Sequence, residues 1–446
     1  MATLKTLVIS GVWLSLSACR LTASPGQPTA AVPLTVSAGE IAVTPLDPQP
    51  IWVRIDDLPA PYASQSASQS PKVIPVPDHP VLSVPEGFAV NVFAEGLDRP
   101  RWLTLTPEGD VLVVESRNNR IHRLRDTDKD GQADIIQPFA DERNGLNIPF
   151  GMAFGEDTFF LGNTNSVQRF EYQSGQAALV GQGTKIADLP GNGYRQHWTR
   201  NIILSSDRQT LYVSIGSRSN VDEEPLPRAS IQTMGLDGAN QTTLAHGLRN
   251  PVGLAIHPVT GDLYTTVNER DGLGDDLVPD YFTRVQPGSF WGWPYTYLSP
   301  DRLDPRQVQG DDQGSVTAQR SLRPDLAAQT QTPDVLFQAH SAALGLQFYD
   351  GSSFPDRYQN GAFVAFRGSW NRSQGTGYKL VFVPFDETHR PLGFYEDFLT
   401  GFLVDPSGPE TWGRPVGLLI LPDGSLLFTE EMHGRIYRVQ YTGSEK

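Results

Sequence analysis

The chain holds one cysteine, Cys19, in 446 residues, so an internal disulfide is impossible. The same scarcity excludes a Cys-x-x-Cys-His haem attachment within these residues, so any redox chemistry here is expected to hand its electrons to a separate carrier. Basic residues are also short: 35 Lys and Arg against 50 Asp and Glu leave a net charge of −15. A general nucleic-acid binder needs a basic surface, so that class is excluded, although a local basic pocket for a small anion is not. Beyond the N-terminus no apolar run is long enough to span a bilayer. Long helical periods are few as well, whereas 42 Gly and 36 Pro punctuate short apolar runs. That pattern predicts an all-β fold of short strands and turns.

Lys5 precedes an apolar stretch, Leu7-Val8-Ile9 through Val12-Trp13-Leu14, that ends in Leu16-Ser17-Ala18-Cys19. This resembles the lipobox of bacterial lipoproteins, which implies removal of residues 1–18, lipidation of Cys19 and a cell-envelope location. An ordinary secretory signal with a leftover cysteine is the alternative. Residues 19–83 are rich in Pro, Ser, Ala and Gln, including the run Ala63-Ser64-Gln65-Ser66-Ala67-Ser68-Gln69-Ser70. So little apolar surface predicts a disordered tether between the anchor and a folded domain at 84–441, followed by a short tail at 442–446.

From Val84 onward one phrase recurs, a small apolar motif, a turn and a strand. It appears as Pro100-Arg101-Trp102-Leu103, Pro149-Phe150-Gly151-Met152, Pro251-Val252-Gly253-Leu254, Ala343-Leu344-Gly345-Leu346 and Pro415-Val416-Gly417-Leu418, with a degenerate copy around Ile203. The anchors Leu103, Met152, Ile203, Leu254, Leu346 and Leu418 lie 49, 51, 51, 92 and 72 residues apart. A period near fifty accommodates one four-stranded blade, so the spacing predicts a six-bladed β-propeller with insertions in the two long gaps, the larger at 291–338. Alternating apolar residues across Gly87–Gly96 predict an outer strand that closes the ring against the last blade.

In such a ring, equivalent loops converge on one mouth of the channel. His197 lies in a polar loop with Arg200, immediately before the strands of blade three, where an imidazole suits proton transfer near neutral pH. Arg143, Arg249, Arg367 and Arg414 occupy comparable loops. Several guanidinium groups at one mouth of an acidic protein suggest a polycarboxylate ligand, unless each is paired with a loop Asp. The segment Asn268-Glu269-Arg270-Asp271, running on to Asp280, offers oxygen ligands for a hard cation or is a solvated turn. Asp126, Asp128, Asp130 and Asp134, with Gly131 at the sixth position, copy the front of an EF-hand loop. Gln137 stands where that loop has its closing Glu, so a structural calcium site and a polar inter-blade turn both remain open.

His197-Trp198-Thr199-Arg200, Gly247-Leu248-Arg249-Asn250-Pro251, the Asn268–Asp280 segment and Trp291-Gly292-Trp293-Pro294 together resemble the soluble glucose/sorbosone dehydrogenases. That family consists of six-bladed propellers using pyrroloquinoline quinone (PQQ) and calcium. His340-Ser341-Ala342 and Gly413-Arg414-Pro415-Val416 look most like the sorbosone branch. The resemblance implies His197 as general base and Arg249 beside the reacting carbonyl of PQQ. It implies Arg143, Arg200, Asn250, Arg367 and Arg414 around the cofactor, and backbone carbonyls of Glu269 and Arg270 on calcium. His340 would line the substrate pocket. Val416 stands where close glucose dehydrogenases carry a second Arg, Arg367 where they have Lys, and Arg143 where they have Gln. The implied function is oxidation of an aldose or sorbosone-like aldehyde, with a separate electron acceptor and membrane contact through the lipid anchor alone. A calcium-dependent lactonase and a non-catalytic binding propeller are the rivals.

Overall fold

The computed structural model describes residues 39–191, 193, 197–310 and 320–443. Cys19 and the signal segment lie outside them. Among these residues six largely antiparallel sheets of four or more strands follow one another in chain order, with smaller ribbons between. The first holds Leu103–Leu105, Val111–Glu115, Arg120–Arg125 and Ile135–Ala140; the second begins at Met152–Phe154 and the third at Ile202–Leu204. The fourth, fifth and sixth begin at Pro251–Ile256, Ala343–Phe348 and Pro415–Ile420. First strands of successive sheets touch, and the sixth touches the first, so the ring is closed.

The repeated phrase explains the seam. At Gly253 a Cβ would lie 2.5 Å from the Leu344 carbonyl oxygen, and at Gly417 one would lie 2.2 Å from that of Arg101. A side chain there would drive these neighbouring blades apart, so glycine lets the two backbones meet. The residue before each glycine points inward: Phe150, Val252, Leu344 and Val416 join Trp102 in one buried cluster. As the alternation across 87–96 predicts, Phe88–Ala94 pairs antiparallel with Arg435–Tyr441 and completes the sixth blade. A ring joined by its first and last segments leaves no free edge between its ends.

The expected tether is corrected for residues 39–83. Glu40–Leu46 pairs antiparallel with Phe88–Ala94 and parallel with Val81–Pro85, extending the sixth sheet. Ile51 bridges to Tyr395, and Lys72–Val73 pairs with Glu410–Thr411. The run read as low complexity is bonded too. Ser66 Oγ accepts from the Gly274 N–H at 3.1 Å and Ser64 Oγ from the Asp275 N–H at 2.8 Å. Composition misleads here because a strap needs no core of its own. It borrows sheet edges for its backbone groups and buries a few anchors, among them Ile41, Leu82 and Val84. Among the described residues no helix is long and apolar enough to cross a membrane.

Candidate active site

A cavity of about 640 Å³ opens at one end of the ring, bounded by loops from several blades. Of the residues singled out in the sequence, His197, Arg249, Asn250, Glu269, His340 and Arg367 line it.

His197 adopts a left-handed backbone, φ 52°, which a non-glycine residue holds only when its surroundings enforce it. Arg200 enforces it. Its guanidinium donates to the carbonyls of His197 at 2.8 Å, Thr199 at 2.6 Å and Pro190 at 2.5 Å. Arg200 therefore shapes the loop from beneath and does not line the cavity, a correction to its expected place beside the cofactor. The His197 Nδ1 lies 2.9 Å from the Ser217 carbonyl oxygen. A carbonyl only accepts, so Nδ1 carries the proton and Nε2 keeps its lone pair. Burial, reinforced by Arg249, drives this imidazole well below its ordinary pKa, against the partial pull of the Ser217 contact. That shift favours the neutral ring.

Arg249 is 3% exposed and heavily bonded. Nε donates to the Asn220 carbonyl at 3.1 Å, Nη1 to that of Glu269 at 2.6 Å, and Nη2 to Asn220 Oδ1 at 2.8 Å and Asp271 Oδ2 at 3.1 Å. The protein holds this charge in one orientation. Among the described residues, its neighbour Asn250 leaves Oδ1 buried without a partner, as does Glu269 with Oε1. Such orphaned acceptors are costly unless something outside the chain meets them. Asp280 also faces the cavity. Burial pushes its carboxyl up to about 7, despite hydrogen bonds from the backbone N–H groups of Glu269 and Ala342.

His340 lines the wall with both nitrogens committed. Nε2 lies 3.1 Å from the Gly274 carbonyl, and Nδ1 accepts from the Asn371 amide at 3.0 Å. The Asn371 amide also donates to Asp271 Oδ1 at 2.6 Å, so His340, Asn371 and Asp271 form one rigid stretch of wall.

Other expectations are corrected. Arg143 projects from the protein, its side chain 89% exposed and paired with Asp141, and does not reach the cavity. The nearby acid satisfies it before any ligand does. Arg414 lies behind the wall, donating from Nε to the Arg367 carbonyl at 3.1 Å and from Nη2 to that of Gly368 at 3.0 Å. It braces the loop that carries Arg367. Arg270 is fully buried in ion pairs with Glu269 and Asp304. The Glu269 carbonyl, expected on calcium, already accepts from Arg249. On the outer hairpin of blade one, ligand oxygens of Asp126, Asp128 and Asp130 lie within 4.8 Å of one another. Asp134 is not with them; its Oδ2 accepts from the Thr127 N–H at 2.6 Å and hydroxyl at 2.7 Å.

Arg101 was missed. It is 6% exposed, lines the cavity, pairs with Glu431 and stacks 5.2 Å above the Trp198 ring. The repeat carried the signal: Arg101 stands in register with Phe150, Val252, Leu344 and Val416, a charge where the phrase elsewhere places an apolar side chain. Arg367 pairs with the same Glu431. Burial alone would raise that carboxyl, but Arg367, Arg101 and Arg414 together hold it far below the usual range.

Comparison with known proteins gives matches over this same ring. The TrAA12-like family profile matches residues 82–442. A pyrroloquinoline quinone-dependent pyranose dehydrogenase of Coprinopsis cinerea is 24% identical over 409 residues, covering 80% of this chain and 54% of that protein. This chain thus spans about half the length of that enzyme. The holo form of a pyranose dehydrogenase PQQ domain from Coprinopsis cinerea is similar in structure, with TM-score 0.64, 19% identity, and coverage of 83% of this chain and 99% of that one. A calcium structure of a Trichoderma reesei enzyme of carbohydrate-active family AA12 gives TM-score 0.68 at 20% identity, covering 83% and 98%.

Proposed function

The chain belongs to the TrAA12-like family, and from that premise we propose that it is a PQQ-dependent dehydrogenase of pyranose-type sugars. The observation that carries the reading is a neutral His197, its Nε2 lone pair free to take a proton, in one cavity with Arg249, Asn250 and Arg367. The donor set fits the cofactor. Arg367 supplies counter-charge for carboxylates, while Val252, Leu344 and Trp198 offer apolar surface for a planar ring. Bound there, PQQ supplies a two-electron acceptor for the hydride leaving a sugar carbon.

The protein's own residues do the rest. His197 removes the hydroxyl proton of the substrate through Nε2, and the Ser217 carbonyl holds the imidazole in the tautomer that permits this. Arg249, immobilised by Asn220, Glu269 and Asp271, presents a fixed positive charge where negative charge develops. The wall built of His340, Asn371 and Asp271 shapes the sugar pocket without spending an imidazole on proton transfer. Calcium is part of the proposal. The unpartnered Oε1 of Glu269 is an acceptor that a hard cation would meet, and a family AA12 structure contains calcium.

A lactonase would gather metal-ligating carboxylates at the mouth. Among the described residues the only close group of three such ligands is Asp126, Asp128 and Asp130, which is not in the cavity wall. The Leu16–Cys19 motif supports a lipid-anchored, envelope-located enzyme that passes its electrons to a separate acceptor. Reconstituting the purified protein with PQQ and calcium, then assaying a panel of pyranoses with an artificial acceptor dye, tests the function. Sugar-dependent dye reduction supports it, and none with any sugar refutes it.

A further inference from the structure

We propose that Arg101 is a cofactor-holding residue, gripping a carboxylate of the quinone jointly with Arg367 across the shared strut Glu431. The proposal rests on the cofactor reading above, but concerns a residue which that reading does not use.

The repeat makes Arg101 an exception. Two residues before each strand anchor, four other blades place Phe150, Val252, Leu344 and Val416, all fully or nearly buried and all in one apolar cluster. Only blade one and the degenerate blade three, with Asn201, break the pattern, and only blade one does so with a charge. A guanidinium among these side chains is expensive unless it is paired and hydrogen-bonded. Here the pairing is incomplete. One Nη of Arg101 meets Glu431, while Nε is buried without a partner among the described residues.

Charge counting leads the same way. Arg101, Arg367 and Arg414 surround a single ionised carboxylate, Glu431. Neighbouring Glu430 is pushed up to about 7 by burial, so it offsets at most one further charge. Among these five side chains, positive charge is therefore left over on this wall. Geometry then divides the work. Arg414 spends Nε and Nη2 on the backbone of Arg367 and Gly368 and does not line the cavity. Arg101 and Arg367 do line it, and Glu431 spaces them by accepting from Arg101 at Oε2 and from Arg367 at Oε1. Two guanidinium groups bridged by one carboxylate make a rigid fork, suited to a planar polycarboxylate. Trp198, stacked under Arg101 and next to His197, couples the fork to the base.

The experiment is a titration of PQQ into the calcium-loaded, cofactor-free protein, with bound PQQ measured by ultrafiltration and absorbance. Wild type is compared with Arg101→Met, Arg101→Lys and Arg143→Gln. Arg101→Met is expected to weaken binding by about tenfold or more, Arg101→Lys to recover part of the loss, and Arg143→Gln to bind like wild type. Should Arg101→Met fail to fold because Glu431 is stranded, the double variant Arg101→Met/Glu431→Gln removes that cost and is expected to bind as weakly. Binding by Arg101→Met or the double variant within about twofold of wild type overturns the assignment while leaving the cofactor reading intact. A wild-type protein that takes up no PQQ overturns both.

Discussion

His197 and Ser217 meet twice: Nδ1 of the imidazole lies 2.9 Å from both the carbonyl oxygen and the hydroxyl oxygen of the serine. The carbonyl sets the tautomer, and the Ser217 hydroxyl has its own acceptor in the Ser219 carbonyl at 2.6 Å. The ring is thus tied at one nitrogen and available at the other.

Replacing the base is the first consequence. His197→Ala is expected to lower kcat by about 10²–10⁴-fold, the range of a positioned proton acceptor, with PQQ affinity little changed. Steady-state kinetics beside a binding titration check this. Retained turnover would place the base elsewhere.

The imidazole's titration gives a second test. Burial and Arg249 lower its pKa, so His197 in the cofactor-free protein is expected to stay neutral at pH 6, where a free imidazole is roughly three-quarters protonated. Nitrogen NMR should show the Nδ1–H tautomer at that pH. The sign for stability follows: the unfolded chain takes up a proton below about pH 6.5 and the folded one does not. The contribution is full above that pH and is lost as pH falls, so His197→Asn should flatten the acid side of the stability profile.

Arg200 is a positioning residue. Arg200→Met leaves the carbonyls of Pro190, His197 and Thr199 without their donor, for a loss of about 2–4 kcal/mol in denaturant unfolding. With the left-handed His197 backbone released, kcat is expected to fall more than KM rises. Loss of stability with unchanged kcat would show that the loop keeps its shape unaided.

The strap makes its own prediction. Ser64 and Ser66 hold the backbone of Gly274 and Asp275, and Gly274 in turn accepts from His340. Ser64→Ala/Ser66→Ala is expected to speed amide exchange at Gly274 and Asp275 by about fivefold or more while the inner strands stay protected. Unchanged exchange would show that the rim loop stands without the strap.

Much of this was legible in the sequence, and the reasons are physical. Blades repeat because each buries the same inward face, so the Pro-x-Gly-Leu phrase at Leu254 and Leu418 marked the ring and its order. His197 and Arg249 were legible because their loops immediately precede first strands, which fixes where they point. Arg143 and Arg414 share that loop position, but a long flexible side chain goes to its nearest acceptor, Asp141 for one and the Arg367 and Gly368 carbonyls for the other. Periodicity says nothing of such local choices. The strap was hidden because Ser64 and Ser66 act through edge contacts that composition does not record. Arg101 was in plain view as the exception to an apolar register.

The most direct test of the account is a single-turnover absorbance measurement on the PQQ- and calcium-loaded protein without oxygen or any acceptor. On mixing with an oxidisable pyranose, the bound quinone's absorption should convert to that of the reduced form in the wild type. It should stay oxidised over the same time in His197→Ala carrying the same amount of cofactor. A protein that retains no PQQ, or equal rates of reduction in the two, would contradict it.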